Sequence, residues 1–155
     1  MSDKLEAILW SIALPGFAQL LNRKFVKGIV FIFLEFLVNV NSHFNIVILH
    51  SFQGHIREAI EATNYQWLMF YPCLYMFAMW DAYKEAEGET PLYSYLPFVF
   101  GAYFVTIGLM YSSSLKLGQI LLGPVWLPIL SLIPGLLVGN FIKYMLCGLR
   151  FVDCD

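Results

Sequence analysis

Charge is scarce in this chain. Of its 155 residues only 13% are Asp, Glu, Lys or Arg, while 59% are hydrophobic and 17% aromatic. An ordinary soluble domain carries about 25% charged residues. A chain this short and apolar could not cover a soluble surface with polar groups. The nine basic residues are scattered and the net charge is −2, so no basic patch for nucleic acid forms. There are three cysteines, Cys73, Cys147 and Cys154. They show no CxxC spacing for zinc or redox chemistry and are expected as free thiols. HExxH, Walker, Rossmann and kinase patterns are absent. Ser112-Ser113-Ser114 has no neighbouring base to complete a catalytic pair. The first residues include Asp3, Lys4 and Glu6 and are barely positive, and no small-x-small site follows, so a cleaved signal peptide is not expected.

Long apolar runs interrupted by proline are what remains, with a mean hydropathy of +0.68. They point to an all-α, polytopic helical membrane protein, residues 1–155 forming one integral membrane domain. The first run, Leu5–Leu21, is broken by Pro15-Gly16. At 1.5 Å per residue it covers about 25 Å, short of a bilayer core of about 30 Å. It is expected as a re-entrant or interfacial helix–break–helix. Four runs are expected to cross: 28–40, extending as far as residue 49; 65–79 with Pro72 inside; 92–111; and 117–138. Residues 140–151 alternate apolar positions with Lys143 and Arg150 and are expected as a short interfacial helix.

With the N-terminus inside, this topology places seven Lys/Arg residues inside and two, Arg57 and Lys116, outside. The positive-inside rule then puts both termini in the cytoplasm. Residues 42–64 form the long outer loop, and 81–91 an acidic inner turn.

Three groups of residues could carry chemistry. Glu35 lies within the second run, with Asn39 and His43 at i+4 and i+8 on one helical face. An intramembrane acid marks an ion or proton path by default. It serves equally as glue between helices, bonded to Asn39 or to a tyrosine of the third run. The outer loop holds His43, His50, His55, Glu58 and Glu61. On a continuous helix His50 and His55, five apart, point to different faces, so no metal site is expected, and an amphipathic surface helix is the simpler expectation. Finally, Gly135-xxx-Gly139 and Ala102-xxx-Thr106 permit close helix contact.

Two short motifs remain. Residues 15–28 read Pro-Gly-Phe-Ala-Gln-Leu-Leu-Asn-Arg-Lys-Phe-Val-Lys-Gly, and residues 80–86 read Trp-Asp-Ala-Tyr-Lys-Glu-Ala. In this order they resemble the TM2-like small bacterial integral membrane proteins, whose pattern is close to PGxGQxYNGxxxKG followed by DAYxxA. The resemblance covers about residues 8–86, leaving 92–155 as additional helices. The chain departs from the pattern at Ala18, Leu21 and Arg23. What the resemblance implies is a helical fold in a bacterial plasma membrane, with Pro15, Gly16, Gln19, Asn22, Lys27, Gly28, Asp81 and Tyr83 as structural motif residues. No cofactor is implied. Gln19 and Asn22 are expected to satisfy backbone groups freed at the Pro-Gly break, and Asp81 to pair with a base of the first motif. The functional expectation is a non-catalytic accessory or structural component, partnered by the lipid bilayer and by a membrane protein or its own copies. A small transporter or ion-conducting oligomer using Glu35, Asn39 and His43 is the alternative, and a metal-dependent membrane enzyme the least favoured.

Overall fold

Asp3 opens the first helix as its N-cap, its carboxylate accepting the Glu6 N–H at 2.6 Å. Helix α1 (Lys4–Ala13) ends at the Pro-Gly break, and α2 (Phe17–Leu21) follows. The helix–break–helix expected there is present. Its pivot is Gly16 at φ +100, which also lies against the next long helix: a methyl at Gly16 would sit 2.5 Å from Gly28 O. The computed structural model describes residues 3–150, for Arg150 the backbone only.

Helix α3 (Phe25–Ser42) is followed by α4 (Phe44–Phe52), α5 (Ile56–Ala62) and α6 (Tyr65–Leu68). Thus α3 stops at Ser42, because His43 adopts the left-handed conformation at φ 59 and serves as its C-cap. The expected continuation to residue 49 is a separate helix, and the outer loop 42–64 is itself largely helical. Helix α7 (Tyr71–Glu85) and helix α8 (Leu96–Tyr111) both start at a proline instead of containing one. Pro72 and Pro97 sit in the first turn, where the missing N–H costs nothing. Each helix therefore begins later than its apolar run.

A small antiparallel hairpin, β1 (Lys116–Leu117) with β2 (Ile120–Leu121), replaces the start of the last expected run. Helix α9 (Gly123–Arg150) then continues without a break through the stretch expected as a separate interfacial helix, and it holds Pro128 and Pro134. Its length of 28 residues corresponds to about 42 Å.

Helices α8 and α9 make the most extensive pairing, through small residues. A methyl on Gly139 would lie 2.6 Å from Pro97 Cα, and one on Gly135 would lie 2.8 Å from Phe100 O. The Gly135-xxx-Gly139 pair is thus used inside the chain. Its counterpart on α8 is the buried Gly101, whose Cα a Gly135 methyl would approach to 3.1 Å. The Thr106 hydroxyl instead donates to Ala102 O of its own helix at 2.8 Å.

Helices α3 and α9 are long and apolar enough to cross a membrane, and only 22% and 28% of their apolar windows are buried within the chain. Large side chains such as Ile29, Phe33 and Phe36 of α3, and Ile133, Leu137 and Phe141 of α9, lie on the surface. Helix α8 is apolar but has 16 residues. Four crossings are therefore more than helix length alone supports. Among the cysteines, Cys73 is a free, exposed thiol. Cys147 is disulfide-bonded, against the expectation of a free thiol. Cys154 lies outside the described residues.

Candidate functional site: the junction of two motifs

The two motifs meet at the end of α7. Ala82 and Ala86, one turn apart, are buried against Ala7 of α1 and Ala18 of α2. Four methyl side chains let three helices approach closely.

Asp81 lies on the adjoining face. Lys27 of α3 donates to its Oδ1 at 2.7 Å, so the expected pairing of Asp81 with a base is formed. Lys27 also reaches Glu85 at 3.1 Å, and Lys24 reaches the same carboxylate at 3.3 Å. The Lys27 and Lys24 ammonium groups hold the Glu85 carboxyl below its usual range, with hydrogen bonding to Lys27 the largest cause.

Gln19 is fully buried. Its Nε2 donates to Ala78 O at 2.8 Å and to Asp81 Oδ2 at 3.2 Å. It therefore fastens α2 to α7 and does not cap the Pro-Gly break. That task falls to Tyr75 of α7, whose hydroxyl donates to Ile12 O, the carbonyl that a continuing helix would have paired with Gly16. Asn22 is also buried, and its backbone N–H closes α2 on Ala18 O at 3.0 Å.

Lys4 completes the junction. Its ammonium donates to Tyr83 O at 3.1 Å and to Thr90 Oγ1 at 3.0 Å, and it lies 4.6 Å from the centre of the Tyr83 ring. Burial lowers its pKa.

Arg23 ends the turn that follows α2. It occupies the left-handed region at φ 61, a conformation that costs a side-chain-bearing residue about 1–2 kcal/mol. The turn between α2 and α3 thus has the geometry for which glycine suits that position.

The polar group expected on one face of α3 is divided. Glu35 Oε1 accepts from Asn39 Nδ2 and from Tyr71 OH, each at 3.4 Å, the long limit of a hydrogen bond. Asn39 also donates to Asn45 Oδ1 at 3.3 Å. His43 does not join them. The helix has ended, and its Nδ1 lies 3.1 Å from Ala62 O. The shared helical face over 35, 39 and 43 is therefore not formed. Tyr71 stacks on Tyr75 with ring centres 5.5 Å apart and packs against Phe44 at 4.8 Å. Both tyrosines line an apolar groove of about 500 Å³ between α4, α7, α8 and α9, together with Ile48, Met76, Leu109 and Leu132.

The outer-loop histidines depart from expectation in the other direction. Gly54 at φ +82 reverses the chain between α4 and α5, and the His55 N–H bonds His50 O at 2.9 Å. His50 in α4 and His55 at the N-cap of α5 thereby face one carboxylate. His50 Nδ1 lies 3.3 Å and His55 Nδ1 3.6 Å from Glu58 Oε2. The Gln53-Gly54 turn was the signal in the sequence that a single continuous helix did not take into account. Comparison of the chain with protein-family models, with curated proteins and with solved structures finds no match.

Proposed function

We propose that this is a small, non-catalytic, multi-pass membrane protein that packs against or assists a larger membrane assembly, with both termini on the cytoplasmic side. The observation that carries the proposal is the inversion of its surface. Apolar side chains of α3 and α9 lie outside, while the polar groups at the motif junction pair with one another. A core helix of a soluble protein would be mostly buried, and these are not. Lipid or a partner helix is the natural cover for such faces.

In this proposal α3, α6–α7, α8 and α9 cross the bilayer, and α1–α2 forms a re-entrant or interfacial hairpin locked to α7. The seven-to-two bias of basic residues supports the orientation. The TM2-like relationship belongs to the same proposal. Its support is the meeting of the two motifs at Asp81 and Lys27, together with the left-handed turn at Arg23. Glu35 acts as helix glue through Tyr71 of α7, steadied by Asn39 of its own helix.

Crosslinking in native membranes followed by co-purification tests the proposal. The expected result is a reproducible membrane-protein partner or a defined homo-oligomer that resists carbonate extraction. Recovery of the protein alone at normal expression, or in the soluble fraction, would overturn it.

A further inference from the structure

We propose that His50, His55 and Glu58 form a binding site for a zinc-class divalent ion on the α4–α5 hairpin. The donor atoms of the three side chains lie within 4.8 Å of one another. A tetrahedral zinc ion with bonds of about 2.0–2.1 Å holds its ligands about 3.3 Å apart. The two distances to Glu58 Oε2, 3.3 and 3.6 Å, already have nearly that length. Only the His50–His55 edge must close, and His55, half exposed at 54%, is free to turn.

A second observation points the same way. His50 Nδ1 is shut off from water yet makes no hydrogen bond, although Glu58 Oε2 is at ion-pair distance. A nitrogen closed to water that lies beside a carboxylate without hydrogen-bonding it calls for an explanation, of which a bound ion is one. A cation held by the lone pairs of both imidazoles and the carboxylate satisfies it.

The hairpin is a firm base for such a site. Val47 of α4 and Ala59 of α5 are fully buried against Val125 of α9, and Trp126 Nε1 donates to Ser51 O at 3.1 Å. Two imidazoles and one carboxylate suit zinc, copper or nickel and not magnesium or calcium, which require more oxygen ligands. His55 and Glu58 also line a shallow cavity of about 410 Å³ with Arg57, Lys116 and Gln119. It has room for a water or small anion as the fourth ligand. The nearby cations Arg57 and Lys116 oppose a dication and favour an anionic fourth ligand.

The test uses the full chain, purified in detergent and stripped with chelator, then titrated with Zn²⁺ against a fluorescent zinc chelator at pH 7.4. About one equivalent is expected to bind, with Ca²⁺ at the same concentration not competing. His55→Ala and Glu58→Gln change exposed side chains and should each weaken binding by at least about 10–100-fold. His50→Ala should do the same, and the exposed pair keeps the test decisive if that variant fails to fold. His43→Ala, outside the cluster, should bind as the parent does. Co²⁺ in place of Zn²⁺ should give visible absorption bands that disappear in Glu58→Gln. Absence of saturable binding, or binding equally strong in His55→Ala and Glu58→Gln, would overturn the site and leave only a His–Glu ion pair.

Discussion

Removing the charge of Asp81 while keeping its shape isolates what the motif junction contributes. In Asp81→Asn, Lys27 loses the carboxylate 2.7 Å from its Nζ, and Gln19 loses an ionised acceptor at 3.2 Å. A hydrogen bond to a charged group contributes about 1.5–3 kcal/mol, whereas an exposed ion pair contributes about 0.2–1 kcal/mol. Asp81 keeps 14% of its side-chain surface and Lys27 45%, so the pair lies between those limits. Lys27 also retains Glu85 at 3.1 Å as a second acceptor, which softens the loss. The coupling energy between Asp81→Asn and Lys27→Met in a double-mutant cycle is therefore expected at about 1 kcal/mol. Equilibrium unfolding in mixed micelles measures it, with Trp10 on α1 and Trp80 on α7 as fluorescent probes on the two sides of the junction. Two single substitutions that add within about 0.3–0.5 kcal/mol, the margin of independent sites, would refute the reasoning.

Further outcomes follow from other parts of the fold. The Glu85 carboxyl, held below its ordinary value of 4.5 by Lys27 and Lys24, contributes stability that is present above pH 4.5 and is lost as the pH falls through its lower folded value. An acid titration of stability should accordingly be flatter in Glu85→Gln than in the parent. Arg23→Gly should raise stability by about 0.5 kcal/mol, the relief of the left-handed strain less the greater freedom of the unfolded chain. A loss in thermal unfolding would count against the turn geometry. Gly139→Ala places a methyl 2.6 Å from Pro97 Cα and should cost about 1–3 kcal/mol. Gly148→Ala meets nothing within 4 Å and should gain about 0.5–1 kcal/mol in the same assay. Tyr71→Phe should cost only about 0.6 kcal/mol, the mean for a polar contact between membrane helices; a loss above about 2 kcal/mol would show that Glu35 depends on it far more than a glue role allows.

Helical class and the Pro-Gly break were legible because each rests on local chemistry: apolar runs and a helix breaker. The Asp81 pairing, across 54 residues, was legible because the charge bias set the acid and the bases on one side of the expected topology. Helix starts were not. Proline in an apolar run looks like an interruption, yet Pro72 and Pro97 sit in the first turns of α7 and α8. Whether a proline begins a helix or bends it depends on the preceding residues, and periodicity says little about those. His43 was misplaced for a similar reason. Spacing set it on the face of Glu35 and Asn39, but spacing assumes a helix that continues, and α3 ends one residue earlier. The same assumption separated His50 from His55, which the turn at Gly54 brings together. The role of Gln19 was missed because its partners on α7 are about sixty residues away, a distance no local pattern spans. The tail expected as a separate interfacial helix continues α9, since nothing between Val138 and Lys143 breaks it.

The glycine seam between α8 and α9 bears on the order in which the chain is made. Helix α8, at 16 residues, precedes Gly135 and Gly139 in the chain and is made before them. Until they arrive, its backbone near Leu96–Gly101 lacks the close neighbour that the finished protein provides. Alone it reaches only about 24 Å, less than a bilayer core. It can settle fully only as one arm of a pair, with the β1–β2 turn as the bend. A chain truncated before Gly135 should therefore leave α8 poorly packed and open to proteolysis, whereas one that keeps α9 through Gly148 should not. The C-terminal half of the chain would then be accepted or rejected as a single unit during biogenesis.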